Sequence, residues 1–424
     1  MKILVLGAGG REHAFVSALR RSPQQPEVFA SPGNAGIGEE ATLFPSNPTT
    51  PEGIDALIAE VQSRGIDLTL VGPEAPLVAG VVDRFRNAGL RIFGPTAQAA
   101  QLEGSKCFSK EFLARHNIPT ARFEIFDNPT SAYAYLETHP LPIVVKADGL
   151  AAGKGVIVAQ TREEACQAID AMLVEGRFGE AGKRVVIEEC LRGSEISLFV
   201  IAGDDNYVLL ETAQDYKPIH DGDRGPNTGG MGTYSPYYET RDPVIEKAKE
   251  SILEPTLRGM RADGMPYQGI LYAGLMLTDD GPQVIEYNVR FGDPEAQTVL
   301  TRLRSDLVDC IERAIDGTLT GFTPKWDERH AVCVVAASAG YPGSYPKGHI
   351  IEGLDEATSP HVKVYHAGTA RDAAGNIVTS GGRVLGVTAL GETRDATRDE
   401  AYAALNAIHF DGIQYRSDIA AGSR

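Results

Sequence analysis

The stretch Val144 to Ile157, VVKADGLAAGKGVI, constrains this chain more than any other. It opens as a buried strand carrying one lysine, Lys146. It then passes through small residues, Gly149, Ala151, Ala152, Gly153 and Gly155, and returns to strand at Val156. Small residues let backbone N–H groups approach an anion closely, and glycine adopts dihedrals barred to other residues. Lys154 adds a mobile positive charge. The expectation is a flap over a polyphosphate, with Gly153, Lys154 and Gly155 meeting the phosphates. The competing reading is a glycine-rich surface hairpin. The pattern is not a GxxxxGK[ST] loop, and a strand, not a helix, follows.

A chain of 424 residues has length for about three domains, each with its own core. The formal charge of −17 repels nucleic acid, and no dense Lys/Arg block offsets it. No apolar run can span a bilayer. Met1 runs directly into a strand, so neither a membrane nor a signal peptide is expected. Cys107, Cys166, Cys190, Cys310 and Cys333 are scattered and form no CxxC pair. Reduced core thiols and a cytoplasmic location are the expectation.

The first hundred residues alternate strand and helix. Lys2 to Leu6 is a strand entering Gly7-Ala8-Gly9-Gly10, and a helix follows to about Arg21. Such a turn can receive phosphate or another anion. Glu27 to Ala30, Asp67 to Val71 and Leu90 to Phe93 read as further strands, with helices over Ile54 to Arg64 and Val78 to Ala88. An open parallel sheet results, with its ligand crevice at the carboxyl ends of the strands. Glu74 stands at one such end, where it can meet an amine or hydroxyl or cap a helix. The second strand lacks the ribose-binding acid of a dinucleotide site, which argues against a nicotinamide or flavin enzyme.

In the middle, Ser105 caps a helix to about His116 and leaves Lys106 near its start, where the helix dipole does not favour a cation. Val185 to Leu198, VVIEECLRGSEISL, is a strand turning acidic at Glu188 and Glu189, with Glu195 in a second β run. Glu195, beyond a short connector, suits ribose hydroxyls, and the backbone beside Glu189 and Leu191 suits an adenine edge; two solvated strand-end carboxylates are the alternative reading. The polar run 221–232, with Asn227, Thr228, Gly229, Gly230 and Met231, reads as a long close-fitting loop around a small polar ligand. The metal signal is QVIEYNVRFGDPE (283–295). Alternation puts Glu286, Asn288 and Arg290 on one strand face. An acid and an amide oxygen can hold Mg²⁺ whose other ligands are phosphates and water, and Arg290 can grip phosphate or carboxylate.

Taken together, GAGGREHA (7–14), PGNAG (32–36), VGPEAPLVAG (71–80), QLEGSK (101–106), KADGLAAGKGV (146–156), GPNTGGMG (225–232), YNVRFGDPE (287–295) and GGRVLGVTALG (381–391) resemble the phosphoribosylamine–glycine ligase family of the ATP-grasp superfamily. The resemblance implies an α/β chain in three parts: a Rossmann-like parallel-sheet substrate domain (1–102), a two-lobed ATP-grasp unit (103–325) with a mobile lid at about 123–193, and a mixed α/β C-terminal domain (326–424). It implies ATP with Mg²⁺ or Mn²⁺ as cofactors, glycine and 5-phosphoribosylamine as substrates, and a monomer or weak dimer. ATP would meet Lys106, Lys146, Gly153, Lys154, Gly155, Glu188, Glu189, Leu191 and Glu195. The metal would meet Glu286 and Asn288. The substrates would meet Gly9, Gly10, Asn34, Glu74, Asp215, Lys217, residues 227–231, Arg290 and Asp293. Lys146, Lys154, Asp215 and Arg290 would be catalytic. Many members have His then a basic residue where this chain has Tyr216 and Pro218. The strand before the metal pair, Gly269 to Leu277, lacks the acid often found there. A different ligase or carboxylase on this scaffold, or a nucleotide sensor without turnover, is the alternative to that reading.

Overall fold

The computed structural model describes residues 1–151, 155–204, 206–237 and 242–422. Gly153 and Lys154, two of the expected flap residues, lie outside them.

The first sheet is parallel throughout, in the order Thr42–Leu43, Glu27–Pro32, Lys2–Gly7, Leu68–Val71, Ile92–Phe93. The two longest strands pair in register from Lys2 against Glu27 to Gly7 against Pro32. Both faces are covered, which is why the strands read as near-continuous apolar runs. Helix Pro51–Arg64 shows how the sequence sets its ends. Thr50 caps it by accepting from Gly53 N–H, and Gly65 closes it at φ +64°. The helix expected over 78–88 is two, Glu74–Val78 and Val81–Asn87, because Gly80 turns left-handed at φ +87° between them.

Two antiparallel four-stranded sheets follow. One runs Asn206–Leu209, Ser194–Gly203, Gln268–Thr278, Gly281–Asn288. The other runs Phe123–Phe126, Val185–Glu189, Ile143–Ala147, Val156–Ala159. The second encloses its own apolar cluster, including Leu136, Val145, Met172 and Ile187, with helices Pro129–Thr138 and Arg162–Ile169 packed on it.

The last sheet draws on two distant parts of the chain. Its order is Gln214–Asp215, Gly232–Ser235, His330–Ser338, Arg383–Gly391, Val362–His366. Gly232–Ser235 pairs antiparallel with residues 331–334 of the C-terminal segment. The run 221–232, expected as one long loop, is partly a hairpin in which Arg224–Asn227 pairs with Pro218–His220. All five cysteines are free thiols. Cys107, Cys310 and Cys333 are buried, but Cys166 and Cys190 are only half-buried, so not all are core thiols. Among the described residues no helix is long and apolar enough to cross a membrane.

Candidate active site

Two cavities open where these units meet. The larger, about 530 Å³, is lined among the described residues by seven cationic and six acidic side chains, so the charges nearly balance here in a chain that is acidic overall. The smaller, about 310 Å³, is lined chiefly by small residues, among them Ala8, Gly9, Gly33, Gly368 and Ser380. Asp293 and Arg383 line both.

The cationic end of the large cavity rests on Asp148. Its Oδ1 accepts from Ser105 Oγ (2.6 Å) and Cys107 N–H (2.9 Å), its carbonyl accepts Lys106 N–H (2.7 Å), and Arg184 pairs with Oδ2 (2.7 Å). Ser105 also caps the helix Lys106–Arg115. These bonds fix Lys106 opposite the strand that carries Lys146. Lys146 is 3% exposed; its Nζ donates to Ile285 O (3.1 Å) and pairs with Glu188 at 2.5 Å. Glu188 also pairs with Lys110 at 2.5 Å. Burial pushes the Glu188 carboxyl up, but the two lysines outweigh it and hold it below its ordinary range. Burial lowers Lys110 to about 8 against the pull of Glu188.

Glu188, Glu189, Leu191 and Glu195 line neither cavity. Glu188 faces its two lysines. Glu189 holds the Arg122 guanidinium (2.9 Å), and its N–H donates to Arg122 O (3.0 Å). Leu191 is half-buried beyond the strand end. Glu195 accepts a hydrogen bond from Lys217 Nζ. Gly155 does line the large cavity.

Across from Lys106 and Lys146 stand Glu286, Asn288 and Arg290, all on the cavity wall. Burial raises the Glu286 carboxyl, but Lys217, Lys146, Lys106 and Arg290 outweigh it and hold it at about 2. Arg290 donates to Glu103 at 2.6 Å and lies 3.4 Å from Glu74. Glu103 also accepts Val289 N–H at 2.8 Å. Burial lifts Glu103 to about 7 despite Arg290, whereas Arg290 and Arg11 outweigh burial at Glu74 and keep it low. Glu103 was missed as a site residue. Its one available signal is its place a turn ahead of Lys106 in QLEGSK.

Asp215 and Lys217 both line the large cavity, while Tyr216 between them is 1% exposed and points into the core. The Tyr216 hydroxyl accepts Ala420 N–H at 2.9 Å, and Arg416 sits 5.1 Å over its ring. The departure at position 216 therefore serves packing. Burial and the neighbouring Glu295 raise the Asp215 carboxyl well above its usual range. Thr228 and Gly229 reach the cavity; Asn227 and Gly230 do not. Gly230 sits at φ +110°, and a Cβ there would come within 2.6 Å of Asp215 Oδ1. Met231 is fully buried against Ile219 and Ala337, so its side chain supports the loop from beneath and does not reach a ligand. Arg383, another missed residue, donates to Gly229 O (2.5 Å) and to Asp293 O. Glu295 and Tyr272 complete this wall.

The smaller cavity takes in Gly9 and Asn34. The glycine turn is less open to an anion than expected. Gly9 N–H donates to Glu12 Oε2 (2.6 Å), and Arg11 N–H to Asp293 Oδ2 (3.5 Å). Gly10 lines neither cavity and packs on Gln297. Asn34 donates to Ala8 O (2.9 Å) and His366 O (2.8 Å), tying the first domain to the C-terminal segment.

Comparison with known proteins agrees with this architecture. Residues 1–103, 104–296 and 331–422 match the N domain, ATP-grasp (A) domain and C domain of phosphoribosylglycinamide synthetase. The chain is 52% identical over 420 residues to the phosphoribosylamine–glycine ligase of Xanthomonas axonopodis pv. citri, covering 99% of this chain and 97% of that one. It is 51% identical to the same-named protein of Escherichia coli O157:H7, covering 99% and 98%. The crystal structure of the Thermotoga maritima phosphoribosylamine–glycine ligase superposes with a TM-score of 0.85 at 36% identity, covering 99% of this chain and all of that one. A charged cleft between two antiparallel sheets, closed on one side by a parallel sheet, thus comes with matches along nearly the whole length, and the chain belongs to the phosphoribosylamine–glycine ligase family, on the ATP-grasp fold.

Proposed function

We propose that this chain performs the reaction its relatives are named for, joining glycine to 5-phosphoribosylamine with ATP to give glycinamide ribonucleotide, ADP and phosphate. It is a carbon–nitrogen ligase. The observation that carries this reading is the face Glu286, Asn288 and Arg290 set across one cavity from Lys106 and Lys146. A carboxylate does not react with an amine at neutral pH, because oxide is a poor leaving group. Passing the γ-phosphoryl of ATP to glycine gives glycyl phosphate, from which the amine displaces phosphate. The protein then has to align three reactants and balance charge. Lys106, Lys146 and Lys154 would hold phosphate oxygens, and Arg290 the transferring group or the glycine carboxylate. Arg290 would exchange Glu103 and Glu74 for that ligand, and Lys217 would release Glu195 to a ribose.

Among the described residues no group of three or more His, Cys, Asp or Glu could hold a metal ion. Glu286 and Asn288 nevertheless fit Mg²⁺ or Mn²⁺. Both offer hard oxygens, and Glu286 is held ionised by its lysine neighbours. A metal bound there would take its other ligands from phosphates and water and would neutralise phosphate charge.

We assign the smaller cavity to the phosphosugar, because its walls of small residues fit a close-lying backbone grip and Asp293 joins it to the reaction cavity. We read 1–102 as the substrate domain, 103–325 as the ATP-grasp unit and 326–424 as the C-terminal domain. Residues 123–193, which have a core of their own, are read as the lid. The reaction would take place in the cytoplasm. The test labels one carboxylate oxygen of glycine with ¹⁸O and follows released phosphate, with phosphoribosylamine generated in situ from ribose 5-phosphate and ammonia. Label in the phosphate supports glycyl phosphate. Its absence, after correction for exchange and statistical dilution, rejects that intermediate. ADP formation stimulated by bicarbonate instead of glycine would favour a carboxylation reaction.

A further inference from the structure

The turn that walls the smaller cavity on its C-terminal side, Ala367-Gly368-Thr369, follows directly on His366. Its position is set by a contact outside both cavities. His13, on the helix Gly10–Arg20, is 2% exposed. Its Nδ1 accepts the backbone N–H of His366 at 2.8 Å. A backbone N–H can only donate, so Nδ1 carries no proton and the ring proton sits on Nε2. Nε2 lies 3.1 Å from Glu40 Oε1, which accepts that proton's hydrogen bond and also pairs with Lys363. One carboxylate thus selects the tautomer that receives the turn.

The surroundings leave the ring no other choice. Tyr365 meets it edge-on with centroids 5.6 Å apart. Gly36 closes over the pair of histidines so tightly that a Cβ there would lie 2.7 Å from His13 Cε1. The charged and titratable groups facing the His13 ring are Glu40 and Glu39 from the first domain, and Lys363 and His366 from the C-terminal segment, with Arg371 facing His366 in turn. Burial lowers both histidines, more than Glu40 raises them, so both are neutral at pH 7. Asn34 holds the same turn from the other side through His366 O, and Ala35 N–H reaches Thr369 O at 3.4 Å.

We infer that His13 is a positioning residue for the smaller cavity: its Nε2–H tautomer, selected by Glu40, sets the 366–369 turn at the distance from Gly9 and Asn34 that the phosphosugar requires. The inference rests on the assignment of that cavity to phosphoribosylamine. It separates His13 from the chemistry, because nothing in the contact touches the ATP or glycine side.

The test is a split in kinetic constants together with a direct reading of the tautomer. In His13→Phe the acceptor is lost, and KM for phosphoribosylamine should rise at least about tenfold, since small displacements of a positioning wall are costly. KM for ATP and for glycine, and kcat at saturation, should change little. His13→Asn, whose Oδ1 can stand in for Nδ1, should recover most of the loss. Glu40→Gln frees the tautomer and should reproduce part of the His13→Phe effect. Long-range ¹H–¹⁵N NMR of the wild type at pH 7 should show His13 with an unprotonated Nδ1. Three results would overturn the inference: a protonated Nδ1, a His13→Phe enzyme with ordinary KM for phosphoribosylamine, or a parallel rise in all three KM values with no rescue by Asn, which marks a structural role only. A wild type that makes no product from phosphoribosylamine overturns the underlying assignment instead.

Discussion

The larger cavity is walled by long charged side chains, and the smaller by backbone and small residues, although they share Asp293 and Arg383. The difference is one of physical strategy. In the large cavity three of the basic groups the site would use are already paired with a carboxylate: Lys146 with Glu188, Lys217 with Glu195, and Arg290 with Glu103. A buried charge without a partner is costly, so these three cations are kept in pairs that an anionic substrate must break or join. In the small cavity recognition would fall to shape. Gly368 and Gly381 pass so closely that a Cβ on Gly368 would lie 2.5 Å from the Gly381 Cα. Charge should therefore govern the first cavity and fit the second.

The hardest blow to that contrast should come from Glu286→Gln, which keeps shape and removes charge. We expect kcat to fall by about 10²–10³, the loss typical of removing one preorganised electrostatic group. ADP release followed across a Mg²⁺ titration checks this, with circular dichroism to establish folding. Turnover that responds to Mg²⁺ as before would remove Glu286 from the metal's ligands. Next in size is Gly368→Ala, which adds one methyl and no charge. It should raise KM for phosphoribosylamine by roughly tenfold through misfit alone and leave the ATP and glycine constants in place. Sensitivity of that variant to salt instead would mean that charge governs the second cavity too.

A smaller effect is expected at Gly155→Ala, on the edge of the large cavity, where the new Cβ would lie 2.7 Å from Ala151 Cβ and 3.2 Å from Ala147 Cβ. The rate should fall by several-fold, and ADP released per product formed should exceed stoichiometry, because water reaches the acyl phosphate through an ill-fitting flap. Strict stoichiometry at near-normal rate would restore the surface-hairpin reading. The mildest change is Tyr216→Phe. It leaves Ala420 N–H without its acceptor and should cost about 1–3 kcal/mol of stability, measured by urea denaturation, with kcat close to wild type. A collapse of kcat would give the phenol a part in the chemistry.

Period and spacing made much of this legible before any coordinates. Apolar runs ending in glycine turns gave the parallel sheet, and two-residue alternation put Glu286, Asn288 and Arg290 on one wall. What remained hidden depends on contacts between distant residues. Nothing local says that Glu188 lies between Lys110 and Lys146, or that Glu103 holds Arg290 from 187 positions away. The glycine turn at residues 7–10 looked open because Glu12 is in the sequence only an acid on a helix. In space its carboxylate folds back onto Gly9 N–H. The helix expected over 78–88 was broken by a single residue, Gly80, whose left-handed backbone no periodicity reveals.

The pairing of Gly232–Ser235 with residues 331–334 has a consequence for how such a chain can be divided. A protein ending near residue 325 would retain Gly232–Ser235, the strand beside the one that carries Asp215, but lose the neighbour that covers its outer edge. It would present unpaired N–H and C=O groups on a strand that is otherwise fully buried, a template for sticking to other copies. Gene fusions and fissions in this lineage should therefore spare that junction and fall in exposed linkers outside it. A two-piece version should regain solubility only when both pieces are produced together.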